Sequence, residues 1–341
     1  MFGLPSMMDE YTLIQGTIYA IMAILGISLG FIWGFGGILC FGQAAFFGLG
    51  SYTYAVAVIN MGDSTIPFML AILIPSLFAA ILGYVIFYGR LSDVYMGVIT
   101  LTVTLILFNL INSTAGPEWR IGDAPLGGFN GMPGIPTLNF PGKVDEVLTP
   151  GHLFYLTMTC LLFTYLCLRC LISSKIGRVI VAAKENEQRI LLLGYDARIY
   201  KLFSFTLGGA IAGLAGCLFA NWGAFTSPTI FSLAQSAQII IWVIVGGLGT
   251  LVGPVVGCVA IQWLTSQIGT QQAFNSNLVL GVILVVFVVF IPRGLVPSLG
   301  MALEWLWKII HPIILSKKSI FSKTFLPKKN ETLAISAEKT L

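Results

Sequence analysis

The sequence predicts an all-α polytopic membrane protein, with about eight to ten transmembrane helices and Gly-rich broken or re-entrant segments in both halves. Three observations carry that expectation. Hydrophobic residues make up 57% of the 341 residues and charged residues only 9%, against roughly a quarter charged in a soluble domain; mean hydropathy is +0.91. Residues 11–62 and 202–292 contain no Asp, Glu, Lys, Arg or His, and each window far exceeds the roughly 20 apolar residues that one spanning helix needs. Glycines interrupt the apolar runs at 34–43 and 245–254. Barrel strands would instead show short alternating segments.

The N-terminal stretch MFGLPSMMDEYT lacks a basic n-region, and the apolar run behind it is long enough to stay in the bilayer, so no cleavable signal peptide is expected. Apolar helices are expected at 12–33, 44–59, 66–88, 94–112, 152–172, 202–220 and 274–291, with a Gly-interrupted stretch at 237–268. Three polar segments remain: 113–150, 173–201 and the tail from Arg293. The first is rich in Gly and Pro and predicts an ordered, turn-rich loop anchored by Trp119, Phe129 and Ile135. A docking surface for an external partner and a simple connector both fit its composition. In the tail, MALEWLWKIIHPIIL (301–315) pairs Glu304 with Lys308 at i,i+4 and carries Trp305 and Trp307, as suits a helix lying at the membrane surface. From Ser316 on, Lys, Ser and Thr dominate and a disordered end is expected. Residues 1–294 thus form a transmembrane domain and 295–341 a cytoplasmic tail.

Orientation follows the positive charges near helix ends. Segment 173–201 carries Lys175, Arg178, Lys184, Arg189, Arg198 and Lys201, and the tail carries eight Lys or Arg from Arg293 to Lys339. Segment 113–150 has only Arg120 and Lys143 against Glu118, Asp123, Asp145 and Glu146. The first two are therefore cytoplasmic and the third external. Parity then constrains the rest. Lys201 and Arg293 lie on one side, so the chain between them crosses an even number of times. Helices 202–220 and 274–291 supply two crossings; 237–268 must either cross twice as short helices or enter and leave on one side.

Two Gly-rich breaks fall in the two halves, GFGGILCFGQ at 34–43 and VGGLGTLVGP at 245–254. Paired interruptions of this kind mark the substrate path in transporters, because irregular backbone at membrane depth needs protein or a water-filled cavity around it. Gly36, Gly37 and Gln43 in the first, with Gly246, Gly247, Gly249 and Gly253 in the second, are the candidate path residues. Gly26, Gly30 and Gly34 recur every four residues, as do Gly249, Gly253 and Gly257, a spacing that also serves close helix packing. Packing explains that spacing but not a run such as Gly246–Gly247–Leu248–Gly249, so both roles are expected.

Catalytic chemistry is not expected. There is no GxxxxGK[ST] phosphate loop, since GTLVGP lacks the lysine, and no HExxH or GxSxG; only His152 and His311 are present. Cys160, Cys167 and Cys170 share one face of a spanning helix, and the CxxC spacing of CLRC lacks a second ligand pair, so neither a metal site nor a disulfide framework is expected. The basic residues report topology rather than nucleic-acid binding. Ionisable groups are almost absent from helix interiors, where ion-coupled transporters need them; Arg169 is near enough to a helix end to snorkel. A transporter so built is facilitative or draws energy from another protein.

That places weight on 173–201. It is too long for a turn and lacks linker composition. A short cytoplasmic helix over 176–193, a sharp turn at Gly194 and a return to the membrane at Lys201 fit its pattern, and a solvated amphipathic loop fits its composition equally well. The residues themselves discriminate. GRVIVAAKENEQRILLLGYDARIYKLFSFTLGGAIAGLAGCLFA (177–220) closely resembles the cytoplasmic coupling region of LivM-like permeases in the branched-chain amino acid (HAAT) ABC transporter family. FGQAAFFGLGSYTYA (41–55), GGFNGMPGIP (127–136) and GGLGTLVGPVVG (246–257) extend the resemblance to about Gly294. One departure is the bulky run Arg189-Ile190-Leu191-Leu192-Leu193, where relatives often carry small Ala residues.

The resemblance implies a permease subunit of an ATP-driven importer for branched-chain or related amino acids in the bacterial inner membrane. It implies a second, LivH-like permease that completes the path, two cytoplasmic P-loop ATPases and a periplasmic solute-binding protein, besides membrane lipid. Residues 178–194 would dock in the ATPase groove, with Arg178, Lys184, Glu185, Glu187, Arg189 and Gly194 as the coupling residues. No cofactor is expected on this chain; ATP and Mg would sit on the partner ATPases. A urea or short-amide importer, and a self-sufficient facilitator or channel for a small neutral solute, are the alternatives.

Overall fold

A computed structural model describes residues 9–89, 91–116, 118–140, 143–269, 281–282 and 294–298. The expected helix at 274–291, apart from 281–282, and the expected interfacial helix and disordered end of the tail lie outside the described residues.

Backbone groups in hydrocarbon have no water to bond, so an apolar stretch that enters a bilayer closes its hydrogen bonds within itself as helix. Six described helices are long and apolar enough to cross a membrane. They are α1 (Glu10–Gly34), α2 (Gln43–Met61), α3 (Thr65–Tyr88), α4 (Asp93–Asn112), α5 (Pro150–Ser173) and α8 (Ala197–Gly223). Between α5 and α8 lie two short helices, α6 (Lys175–Glu185) and α7 (Glu187–Leu192); α9 (Leu233–Gly246) and α10 (Val252–Gly269) follow. Helix α8 starts five residues before the expected 202, so Lys201 belongs to its first turns.

Polar side chains set the starts of the later helices. Thr149 accepts from the His152 N–H, Ser174 from Gly177, Asn186 from Arg189, Asp196 from Arg198 and Ser232 from Gln235. Each occupies the position where one side-chain oxygen replaces a missing helical acceptor.

Helices α1, α2 and α8 are the inner ones, and α3, α4 and α5 turn more of their surface outward. Small residues let the inner helices touch. A Cβ on Gly50 would overlap the backbone of Gly213, and one on Gly216 would overlap the Phe47 carbonyl. Gly209 meets Ala79 and Gly213 meets Pro75 across the α3–α8 contact. The AGLAG run at 212–216 is thus the strip on which α2 and α3 lie. Gly26 and Gly30 make a notch for Pro254, and Gly34 abuts Gly249, so the four-residue glycine spacing serves close packing. Phe46 and Phe205 fill the space beside them, edge to face at 5.4 Å.

The segment between α4 and α5 is folded over one end of the helices. It holds two hairpins, β1–β2 (Arg120–Ile121 with Ala124–Pro125) and β4–β5 (Asn139–Phe140 with Lys143–Val147). A third strand, β3 (Met132–Pro133), pairs with β6 (Phe225–Thr226) just beyond α8. Ile135 is buried as expected, but Trp119 and Phe129 are exposed; Ala124, Met132 and Leu138 supply the rest of the anchor. Polar bonds complete it. Asn221 accepts from the Leu138 N–H at 2.7 Å and Tyr54 donates to the Pro136 carbonyl at 3.1 Å. This is an ordered cap, as its turn residues predicted.

At its edge Asp63, in the α2–α3 turn, accepts from the Thr65 N–H at 3.3 Å, the Thr65 hydroxyl at 3.2 Å and the Asn139 amide at 3.2 Å. These bonds favour the carboxylate, the Thr65 N–H most, and hold it below its ordinary value of 3.8. A carboxyl depressed in the folded state contributes stability above its unfolded value and loses it as pH falls through its folded one. The turn is therefore expected to keep constant amide protection from neutral pH down to the ordinary carboxylate range and to loosen only below it. Hydrogen exchange at Ser64 and Thr65 in detergent measures this; loosening already at pH 6 would contradict it.

Candidate coupling and translocation site

The helices α6 and α7 stand at the end opposite the cap. Trp222 Nε1, near the cap, donates to the Ile14 carbonyl at 3.0 Å, whereas Lys184 Nζ donates to the Gly34 carbonyl at 3.0 Å. Helix α1 therefore runs from the cap end to the α6–α7 end.

The expected single helix over 176–193 is two. Asn186 is extended (φ −163°) and caps α7, because its short amide competes for backbone N–H groups that a continuing helix would use. Gly177 sits so close to Leu171 and Ile172 that no side chain fits, which closes the α5–α6 corner. Gly194 has φ +85°, a left-handed conformation that glycine takes freely, and ends α7 as expected. Asp196 then starts α8.

Within this corner the expected coupling residues divide by environment. Arg178, Glu185, Arg189 and Gly194 are exposed. Glu187 forms an ion pair with Lys201 of α8, which fixes α7 against α8. Leu191, Leu192 and Leu193 project outward, Leu192 at 88% exposed. A cleft of about 600 Å³ opens beside them between α7, the start of α8 and the α3–α4 junction, lined by Leu91, Glu187, Leu191 and Arg198. Arg198 lies over the Tyr88 ring at 5.9 Å.

Lys184 is exposed as well, but its ammonium turns back onto the end of α1. Beyond its bond to Gly34, its aliphatic stem lies against Gly37: a Cβ there would be 2.7 Å from Lys184 Cγ, and Gly37 has φ +68°. Gly34 in turn lies against the α9–α10 turn, its Cβ position 2.9 Å from the Gly249 nitrogen. The two glycine breaks of the sequence therefore meet at the end of α1, under Lys184.

The breaks are unlike in form. Residues 35–42 leave α1 and fold back along it without helix. The Ile38 N–H donates to Ile32 at 3.1 Å, and the Phe41 N–H to the Thr100 hydroxyl at 3.2 Å. Gln43, the first residue of α2, is buried, and its Nε2 donates to Ser28 and, at 3.2 Å, to the Gly208 carbonyl. Ser28 is six residues inside α1, so the chain has returned about 9 Å along the axis before α2 begins. Gln43 Oε1 has no hydrogen-bond partner among the described residues, a deficit of about 1–3 kcal/mol for a buried acceptor. Gly36 is buried against the Ile32 carbonyl.

The second break is a turn between two helices. Gly246 ends α9; Gly247 (φ +110°) and Gly249 (φ +85°) form the turn; the Thr250 hydroxyl accepts from the Gly253 N–H at 3.0 Å at the start of α10. Gly257 fits against the Trp242 carbonyl, so α9 and α10 run antiparallel in direct contact. Spacing alone could not tell a hairpin turn from a broken helix. Nor did the sequence reveal the Lys184–Gly34 bond or the Gln43–Ser28 bond, which join residues 150 and 15 positions apart. A lysine before the Glu-Asn-Glu cluster and a Gln beside the first glycine break were the signals the sequence offered.

No cluster of three or more His, Cys, Asp or Glu that could hold a metal occurs among the described residues, and the six cysteines are free.

Residues 10–290 match the family model described as branched-chain amino acid transport system / permease component. The chain is similar to the high-affinity branched-chain amino acid transport system permease protein LivM of Escherichia coli K12, 30% identical over 311 residues that cover 86% of this chain and 72% of that protein. It is also similar to LivM of Salmonella typhimurium, 28% identical with the same coverage. A probable branched-chain amino acid transport permease protein LivM of Methanocaldococcus jannaschii is 22% identical, over 82% of this chain and 91% of that one. No solved structure matches. With the family model reaching from the first turn of α1 to beyond α10, and glycines, short helices α6 and α7 and uncharged spans arranged as described, the chain belongs to the branched-chain amino acid ABC transporter permeases as a LivM-like, multi-pass membrane subunit that does not itself hydrolyse ATP.

Proposed function

We propose that this subunit forms the path for branched-chain amino acids together with a second, LivH-like permease, and that two cytoplasmic ATPases drive it through α6 and α7. The single observation that carries this reading is the convergence at Gly34. Lys184, on the helix that faces the cytoplasm, holds at one point the non-helical segment 35–42 and the turn at 247–251. A displacement of α6 would reach both halves of the permease without crossing any other element. The exposed Leu191, Leu192 and Leu193 supply an apolar surface for the ATPase grooves, as exposed patches of this kind serve interfaces.

The outward face of α4 supports a partner-facing path. Tyr95, Thr102 and Asn109 lie on it, whereas the exposed face of α3 from Ile66 to Ile81 is apolar throughout. Polar side chains are costly against lipid and belong beside protein or water. In this arrangement α9 and α10 are two short crossings. With the expected helix at 274–291 they satisfy the parity set by Lys201 and Arg293, the cap is external, and residues 295–341 remain in the cytoplasm. ATP and Mg stay on the ATPase chains, and a periplasmic solute-binding protein delivers the amino acid to the cap end of this inner-membrane complex.

Co-purification from the native membrane in mild detergent tests it. Two P-loop ATPases and a related permease are expected to co-elute. Gly194→Pro is expected to release the ATPases, since proline demands φ near −65° where Gly194 has +85° and removes the N–H bonded to Leu191. A chain that elutes alone and conducts leucine into liposomes without ATP would replace this reading with that of a facilitator.

A further inference from the structure

At the cap end, a groove of about 800 Å³ runs between α2, α3, α4 and the β1–β2 hairpin. Its composition is divided. The walls are apolar, from Val56 on α2, Leu70 on α3, Leu110 on α4 and Leu126 of the cap, whereas the rim carries Glu118 and Arg120. Neither rim residue forms an ion pair with a described residue. They are two apart around a tight turn, in which the Arg120 N–H donates to the Glu118 carbonyl at 3.1 Å. In addition, Tyr52 lines the groove, is only 5% exposed, and its hydroxyl has no partner among the described residues.

The hairpin that holds the rim is fixed. Asn60, at the end of α2, donates to the Ile121 carbonyl at 2.9 Å and accepts from the Asp123 N–H at 2.8 Å. Gly122 (φ +62°) leaves no room for a side chain against Asn60. The Leu126 N–H closes the base on the Trp119 carbonyl at 3.0 Å. The rim charges therefore project from a pre-ordered turn tied to the membrane helices. Ordering costs are met in folding rather than on binding.

A carboxylate and a guanidinium on the rim of an apolar cleft, neither in an ion pair with a described residue, match one ligand chemistry: a zwitterion with an aliphatic side chain. We infer that this groove is a binding vestibule for an apolar α-amino acid, with Glu118 taking the ammonium, Arg120 the carboxylate and the α2–α3–α4 walls the side chain. Purely apolar contacts would not select the zwitterion, and the rim alone would not select the side chain. The inference rests on the amino-acid import reading and gives it a receiving site on this chain.

The test uses the complete importer, purified with its partner chains and reconstituted with ATP. Photoactivatable diazirine-leucine is added, the sample is illuminated, and adducts are mapped by mass spectrometry while leucine uptake is measured in parallel. Adducts are expected on Val56, Leu110 or Leu126, displaced by leucine but poorly by leucinamide or 4-methylpentanoate, each of which lacks one charge. Glu118→Gln with Arg120→Gln is expected to lower this labelling by about tenfold, the scale of losing charge-assisted bonds. If that variant fails to assemble, the single substitutions Glu118→Gln and Arg120→Gln provide the same readout with a smaller loss. Wild-type uptake with adducts elsewhere, or labelling unchanged in a variant that assembles, overturns the vestibule alone. Absence of leucine uptake by the intact wild-type complex overturns the import reading and the vestibule with it.

Discussion

Gly216→Val is expected to abolish recovery of folded protein. Any Cβ at 216 overlaps the Phe47 carbonyl and lies 2.8 Å from the Ser51 nitrogen. Both are backbone atoms of α2, so no side-chain rotation relieves the clash. The adjoining positions on the same face of α8 already touch α3, with Gly209 against Ala79 and Gly213 against the Ala71 carbonyl and Pro75, so α8 cannot retreat from α2 without parting from α3. Overpacking a flexible core costs roughly 1–3 kcal/mol; a contact of backbone on backbone belongs at or above the upper end. Fluorescence-detected size exclusion of a tagged protein gives the readout. Gly223→Ala at the end of the same helix is the control, because nothing lies within 4 Å of its Cβ position and it should elute as wild type. A monodisperse Gly216→Val protein with wild-type thermal stability would show that α2 and α8 do not pack this closely.

Lys184→Met should separate ATP hydrolysis from uptake. Methionine keeps most of the stem that lies over Gly37 and removes the ammonium that binds the Gly34 carbonyl. The exposed docking residues are unchanged, so the ATPases should still co-purify and hydrolyse ATP. A hydrogen bond from a charged donor is worth about 1.5–3 kcal/mol, and its loss from a step in the cycle is expected to lower uptake per ATP by about tenfold or more. Glu187→Lys acts differently. It places a second cation beside Lys201, so it should loosen α7 on α8 and weaken ATPase retention as well. Uptake by Lys184→Met at the wild-type rate would remove Lys184 from the coupling route.

The spanning helices were legible because hydrocarbon enforces a simple code: the expected 66–88 and 94–112 became Thr65–Tyr88 and Asp93–Asn112. The stretch at 237–268 was legible as a pair of short helices, since α9 and α10 run antiparallel around the Gly-rich turn. Local polar chemistry was only partly readable. Gly194 announced a turn, but Asn186, set in a charged cluster, gave no sign that it would end one helix and start another. What sequence could not supply is which break touches which helix end. The bond from Lys184 to Gly34 joins residues 150 positions apart and exists only once α6 has packed on the end of α1. The groove at the cap shows the same limit. Glu118 and Arg120 counted only as loop charges until Asn60 was seen to fasten their hairpin above α2, α3 and α4.

The lysine at the end of α1 has one more consequence. A helix concentrates partial negative charge on its last carbonyls, and a cation there gains about 0.3–1 kcal/mol at exposed sites and up to about 2 when partly buried. Gly34 is the last residue of α1, and its carbonyl has Lys184 Nζ for a partner. The coupling helix is therefore held partly by the macrodipole of a 25-residue helix, an attraction that acts along the axis of α1 and tolerates small shifts and rotations of α6. Such a hold behaves as a latch rather than a hinge. It holds α6 to the end of α1 without fixing their geometry, and it can be parted for a few kcal/mol.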